Sequence, residues 1–254
     1  MKTEILYEDN SILVIRKPAG LAVQSAGIGQ ADVVSELKSH LAKLPGAGRP
    51  GKGEPYLGIV HRLDQPVEGV LVFAKEKKSA AVLTKQLSAG TLNKQYYAVL
   101  CGYPDCPEGD LVDYLRKEGN VAVAVTGREQ EFADAKIAAL HYRILEEIND
   151  PSPLALADVT IGTGRFHQIR VQFAHAGFPL LGDTKYGTAA RKEAMPAQKY
   201  RGVALCAYSL ELVHPVSGKK MGFRVVPKNP AFAGFAMEEL KKLTENETGI
   251  SKRG

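Results

Sequence analysis

Short apolar segments arriving in consecutive runs, with few stretches of helical periodicity between them, constrain this 254-residue chain more than any other feature. Runs of this kind, bounded by Gly, Pro, Asn, Asp or Ser, read as strands. They are expected at 5–10 and 11–15 around an Asp9-Asn10-Ser11 turn, and at 70–74, 95–100, 121–125, 137–145, 156–161, 203–213 and 221–226. On 95–100, Tyr96, Ala98 and Leu100 share one face and Gln95, Tyr97 and Val99 the other. Helical spacing is expected over 32–44 with Asp32 as N-cap, from Ser79 to Gly90, and over 230–243 with Phe232, Phe235, Leu240 and Leu243 inward. Strands in runs with few helices place the chain in the α+β class with a mostly antiparallel sheet.

Composition narrows the partners. A net charge of +5, with 44% hydrophobic and 24% charged residues, is globular and mildly basic, which suits a polyanion without requiring one. The acidic start is unlike a signal peptide, and no apolar run nears the ~20 residues of a membrane helix. Three cysteines are too few for a disulfide framework. These features lead us to expect a cytoplasmic protein; the chain is expected to be a monomer, with residues 1–240 as one domain and 241–254 as a polar tail.

Several motifs fail on context. Gly46, Gly48 and Gly51 satisfy G-x-G-x-x-G, but a helix precedes them and no helix follows, so no helix N-terminus meets a phosphate. Cys101 and Cys106 lack a second pair at zinc-ligand spacing, and no G-x-S-x-G elbow is present.

Three segments carry chemistry. His61-Arg62-Leu63-Asp64 lies in a connection between two apolar strands, where a rigid scaffold presents catalytic groups; an aspartate bonding its own turn is the plainer alternative. Thr163-Gly164-Arg165-Phe166-His167-Gln168-Ile169-Arg170 reads as a tight turn into a helix with Phe166, Ile169, Phe173 and Gly177 along one side. Arg165 then falls in the first helical turn, where the macrodipole disfavours a cation by roughly 0.3–1 kcal/mol, so an anion is expected opposite it. His167 and Arg170, three apart, share a face that extends a basic surface. Tyr96, after Lys94, is either core or a ring and hydroxyl facing Asp64.

At these residues the chain resembles the RluA-type pseudouridine synthases. Ile5–Asn10 with Lys17-Pro18-Ala19-Gly20-Leu21, His61-Arg62-Leu63-Asp64, Lys94-Gln95-Tyr96 and Gly164 to Val171 are similar to that family's motifs in order. So are Leu180-Leu181-Gly182-Asp183 through Tyr186-Gly187, and Tyr208-Ser209-Leu210 with His214-Pro215. The resemblance implies a curved mixed sheet with flanking helices and loops around a central cleft. It also implies isomerisation of uridine in rRNA or tRNA without a cofactor. By that resemblance Asp64 is the nucleophile, Arg165 its ion-pair partner and Tyr96 the residue against the base. Arg62 fills the space of the extruded nucleotide, and His61, Lys94, His167 and Arg170 are further RNA contacts. The sequence departs from the family at Gln65-Pro66-Val67-Glu68, at Phe166 where Thr is common, and at Cys206 where His is common. An S4-like RNA-binding domain is not expected, since the motifs begin at residue 5.

The chemistry fits the residues. A carboxylate splits cleavage of the N1–C1′ bond and its rejoining through C5 into easier steps, whether it acts at the base or at the sugar. A guanidinium keeps it ionised. A silent RNA-binding protein and a nucleoside glycosidase are the rivals, set apart by isomerisation and by release of free uracil.

Overall fold

A computed structural model describes residues 1–25, 27, 29–44, 54–125, 134–150, 152–187 and 202–236. The glycine-rich motif at 46–53 and the tail at 241–254 lie outside the described residues. The chain divides into two compact units, Met1–Lys94 with Ala207–Pro227, and Gln95–Cys206 with the chain from Lys228.

In the first unit, β1 (Glu4–Glu8) and β2 (Ile12–Lys17) form an antiparallel hairpin. The Asp9 carboxylate closes its turn by accepting from the Ser11 and Ile12 amides at 2.7 and 2.8 Å. β2 lies antiparallel to β4 (Glu68–Ala74), and Lys17 pairs with Gly69 at the end that leads into the His61–Val67 connection. Every residue of both strands is buried. The order continues from β4 to β10 (Leu205–Val213), with β3 (Gly58–Ile59) on β4 and β11 (Lys220–Arg224) on β10. Gly69 cannot carry a side chain. Its φ is +135°, and a Cβ would fall 2.4 Å from the Ala207 carbonyl oxygen and 2.6 Å from its nitrogen.

α1 (Val33–Leu41) starts as expected, with the Asp32 carboxylate accepting from the Ser35 amide at 2.7 Å, but ends three residues earlier than its apolar spacing predicts. α2 (Lys77–Ser88) begins two residues before Ser79. Glu76 takes the extended N-cap backbone, and the Ser79 hydroxyl donates to its carboxylate instead of capping an amide.

The second unit is an antiparallel sheet in the order β5-β9-β8-β6-β7. Its strands are β5 (Asn93–Cys101, entering the unit at Gln95), β6 (Glu108–Glu118), β7 (Val121–Val125), β8 (Lys136–Ile148) and β9 (Leu154–Ile161). β6 has no counterpart among the strands expected from sequence. Its charged residues break the apolar pattern, and pairing with β8 on one edge and β7 on the other supplies the order instead. α3 (Gln168–His175) lies against this sheet. Val171 joins Leu115, Ala122 and Ala138 in a core cluster, and Phe173 meets the Tyr142 ring edge-on at 5.5 Å. Pro230–Phe232 is a single 3-10 turn with Phe232 and Phe235 buried, where a longer helix was expected; residues 237–243 of that helix lie outside the described residues.

Candidate active site

The connection between β3 and β4 alternates, with His61 and Leu63 buried, Arg62 exposed and Asp64 half-buried. The Val67 amide donates to the Asp64 carbonyl at 3.1 Å, closing a turn. The Gln65 carbonyl accepts from the Gly20 amide at 2.8 Å, and the Gln65 side-chain amide donates to the Gly20 carbonyl at 3.1 Å. The departure from the family at Gln65 is therefore part of the brace that holds the Asp64 turn.

Beneath this brace lies Lys17, fully buried. Its ammonium donates to three carbonyls, Pro18 at 3.0 Å, Leu21 at 2.7 Å and Gln65 at 3.0 Å, matching its three N–H groups to three acceptors. Burial pulls its pKa down to about 7, against the charges of Asp64 and Glu68, which favour the protonated form. Glu68 is itself buried 3.5 Å from Arg16.

His61 does not present a cation to RNA. It is buried, and burial with the nearby Lys94 charge pushes its pKa down to about 3, so the ring is neutral. Nε2 accepts from the Val72 amide at 3.4 Å, and Nδ1 has no hydrogen-bond partner among the described residues. Lys94 is half-buried, and desolvation lowers its pKa too.

In the second unit, Tyr96 is buried on β5, opposite Val159. Arg165 precedes α3 rather than lying in its first turn, so the macrodipole argument made from the sequence does not hold. Gln168 builds the lead-in. Its Oε1 accepts from the Thr163 hydroxyl at 2.7 Å and the Arg165 amide at 2.9 Å, and its Nε2 donates to the Ala139 carbonyl at 3.0 Å. The exposed Arg165 side chain donates from Nε to the Ile137 carbonyl at 2.9 Å.

His167 and Arg170 do not share a basic surface. His167 is the N-cap of α3, in left-handed backbone with φ 54° and ψ 24°, and its Nδ1 shares a 2.6 Å hydrogen bond with the Tyr186 hydroxyl. Arg170 is sealed inside, gripping Asp183 at 2.7 and 2.9 Å with 4% and 0% of the two side chains exposed. Helical spacing put the two residues on one face. The helix starting at Gln168 turns Arg170 inward, and an acid thirteen residues downstream makes its burial tolerable. Sequence reasoning also missed Lys17, Gln168 and Asp183 as site-building residues. The signal for the first of them was its place in Lys17-Pro18-Ala19-Gly20-Leu21, directly after the apolar run Ile12–Ile15 and Arg16.

A model of the RNA pseudouridylate synthase family matches residues 11–175, and the chain belongs to that family; it is an RNA pseudouridine synthase. Two human structures, RNA pseudouridylate synthase domain containing 1 and 4, share its fold. Their TM-scores are 0.70 and 0.68 at 17% and 25% identity; the first match covers 96% of this chain and 94% of that one, the second 94% and 93%. Among curated proteins, ribosomal large subunit pseudouridine synthase D of Zymomonas mobilis is 35% identical over 227 residues, covering 87% of this chain and 68% of that protein. The same-named protein of Pseudomonas aeruginosa is 35% identical with 87% and 67% covered. An uncharacterized RNA pseudouridine synthase of Synechocystis is 38% identical over 226 residues, with 85% and 63% covered. The chain thus spans 63–68% of the length of these relatives. Among the described residues no helix is long and apolar enough to cross a membrane.

Proposed function

We propose that this chain isomerises a uridine of large-subunit ribosomal RNA to pseudouridine, with Asp64 as nucleophile and no cofactor, acting as a cytoplasmic monomer with residues 1–240 as its catalytic domain. The observation that carries the reading is 35% identity, over 87% of the chain, to ribosomal large subunit pseudouridine synthases D. The half-buried carboxylate on a turn braced by Lys17, Gly20 and Gln65 supports the choice of nucleophile.

In this reading the target base leaves its stack, at a cost of a few kcal/mol. Arg62, exposed beside Asp64, takes the vacated space, and the Tyr96 ring lies against the base. The N1–C1′ bond breaks with Asp64 taking up covalent or electrostatic stabilisation of the separated fragment, at base or sugar. The uracil turns, C5 bonds to C1′, the C5 proton leaves and N1 gains one, so the reaction is a net isomerisation. By the family resemblance, Arg165 is the ion-pair partner assigned to Asp64. Arg62 and Lys94 position phosphates, which makes binding salt-dependent.

The test is tritium release from a large-subunit rRNA transcript labelled at uridine C5. Wild type is expected to release tritium and Asp64→Asn to be slower by at least about 10³-fold, as for loss of a nucleophile. Release by Asp64→Asn at the wild-type rate overturns the assignment, and release of free uracil overturns the isomerase reading in favour of a glycosidase.

A further inference from the structure

We propose that Phe166 and His167 form a stacking platform for a nucleobase of the RNA other than the target uridine, with Lys117 serving its phosphate. The inference rests on the RNA-modifying reading above, and it uses residues which that reading leaves without a role.

The sequence expects Phe166 within a helix, on one side with Ile169, Phe173 and Gly177. The structure places it ahead of α3 and 40% exposed, directly after Arg165. A lone exposed ring is ordinary; this one is distinguished by how it is held. Its ring is stacked on that of His167, with centroids 3.8 Å apart and planes 22° from parallel. His167 is the one non-glycine residue among those described with positive φ, and strained backbone of this kind persists where the surroundings over-determine it. Here they do. The Ala122 amide donates to the Tyr186 hydroxyl at 2.7 Å, that hydroxyl is bonded to His167 Nδ1 at 2.6 Å, and the Tyr186 ring meets the imidazole edge-on at 5.5 Å. The platform is thus tied to β7 and does not depend on a mobile side chain for its position.

The charges around it are those of a nucleotide site. The Lys117 ammonium stands 5.0 Å from the Phe166 ring centroid, Lys185 is held nearby on the Asn120 carbonyl at 2.6 Å, and Arg165 is the preceding residue. An exposed cation–π contact of the Lys117 kind is worth about two- to fivefold in an equilibrium constant. Stacking of a base on an aromatic side chain is worth about 5- to 140-fold. A base therefore displaces the Lys117 ammonium from the ring, and that ammonium, on a long exposed side chain, turns to the phosphate of the nucleotide that replaces it. Stacking tolerates any base, so the platform orders the bound strand without reading its sequence.

The experiment measures affinity for a fluorescein-labelled oligouridylate of about 12 nucleotides, alongside tritium release from the labelled rRNA transcript. Phe166→Ala is expected to weaken oligouridylate binding by about 5- to 140-fold, and Phe166→Tyr to restore it to within about threefold. Lys117→Ser is expected to lower the slope of log affinity against log salt by about 0.7, the value for one single-strand phosphate contact. Unchanged affinity in Phe166→Ala, or rescue by Phe166→Leu as complete as by Phe166→Tyr, overturns the platform, because neither outcome needs a ring face. Tritium release by the wild type decides the isomerase reading separately, so failure of one leaves the other standing or falling on its own measurement.

Discussion

Lys17 should give the stability of this protein a pH dependence that a single substitution removes. Unfolded, its ammonium has the ordinary value near 10.5, and in the folded protein burial lowers that to about 7. Between these values the unfolded chain holds a proton that the folded chain has lost, so stability rises with pH. The slope is at most about 1.4 kcal/mol per pH unit for one proton. Since the folded group is half-protonated at the start of the window, the gain from pH 7 to pH 9 is about 2 kcal/mol. Lys17→Met fills similar space and carries no proton. Its stability at any one pH mixes two opposed effects, relief of a buried charge and loss of donors to the Pro18 and Leu21 carbonyls, while Gln65 keeps the Gly20 amide. The pH dependence of the difference isolates the ionisation. Urea unfolding followed by circular dichroism, on both proteins at pH 7, 8 and 9, should show wild type gaining about 2 kcal/mol on the variant. A difference that stays constant across that range refutes the claim that the ammonium is buried at a cost.

Three further expectations follow from the same packing. His61 titrates near 6.5 unfolded and about 3 folded, so wild-type stability should fall by about 3 kcal/mol between pH 6.5 and pH 4, and His61→Leu should lack that component in denaturant unfolding at the two pH values. Gly69→Ala drives a Cβ into the Ala207 backbone at a φ of +135°, which should cost about 3 kcal/mol or more and lower the melting temperature by roughly 6–12 °C; a melting curve matching wild type contradicts the close approach. Arg170→Ala leaves Asp183 buried without its partner and should cost about 3–5 kcal/mol in chemical denaturation. Arg170→Lys should recover little of it, because an ammonium cannot reproduce the two-pronged grip.

The elements that sequence reasoning found are those where local rules and tertiary environment agree. β2 and β4 are buried throughout and carry the apolar runs Ile12–Ile15 and Val70–Ala74, Asp32 caps α1 by a bond to an amide three residues on, and the Asp9 turn closes within its own residues. Where the two disagree, tertiary structure prevails. β6 carries Asp110, Asp113, Arg116 and Lys117, yet it is a strand, because its neighbours on both edges satisfy its backbone. α3 starts later than its apolar spacing implies, because Gln168 spends its side chain on the preceding turn and not on the helix.

The sequence by itself determined the fold class, the family resemblance and the order of the motifs that bear chemistry, since these reside in residue type and spacing along one chain. Which charges face water and which are sealed inside was decided only by the tertiary structure. Lys17 and Arg170 look no different in sequence from Arg62 and Arg165. The first two are buried because Leu21, Gln65 and Asp183 bring acceptors to them across the fold. Burial of a charge depends on partners supplied from elsewhere in the chain, and local periodicity carries no record of them.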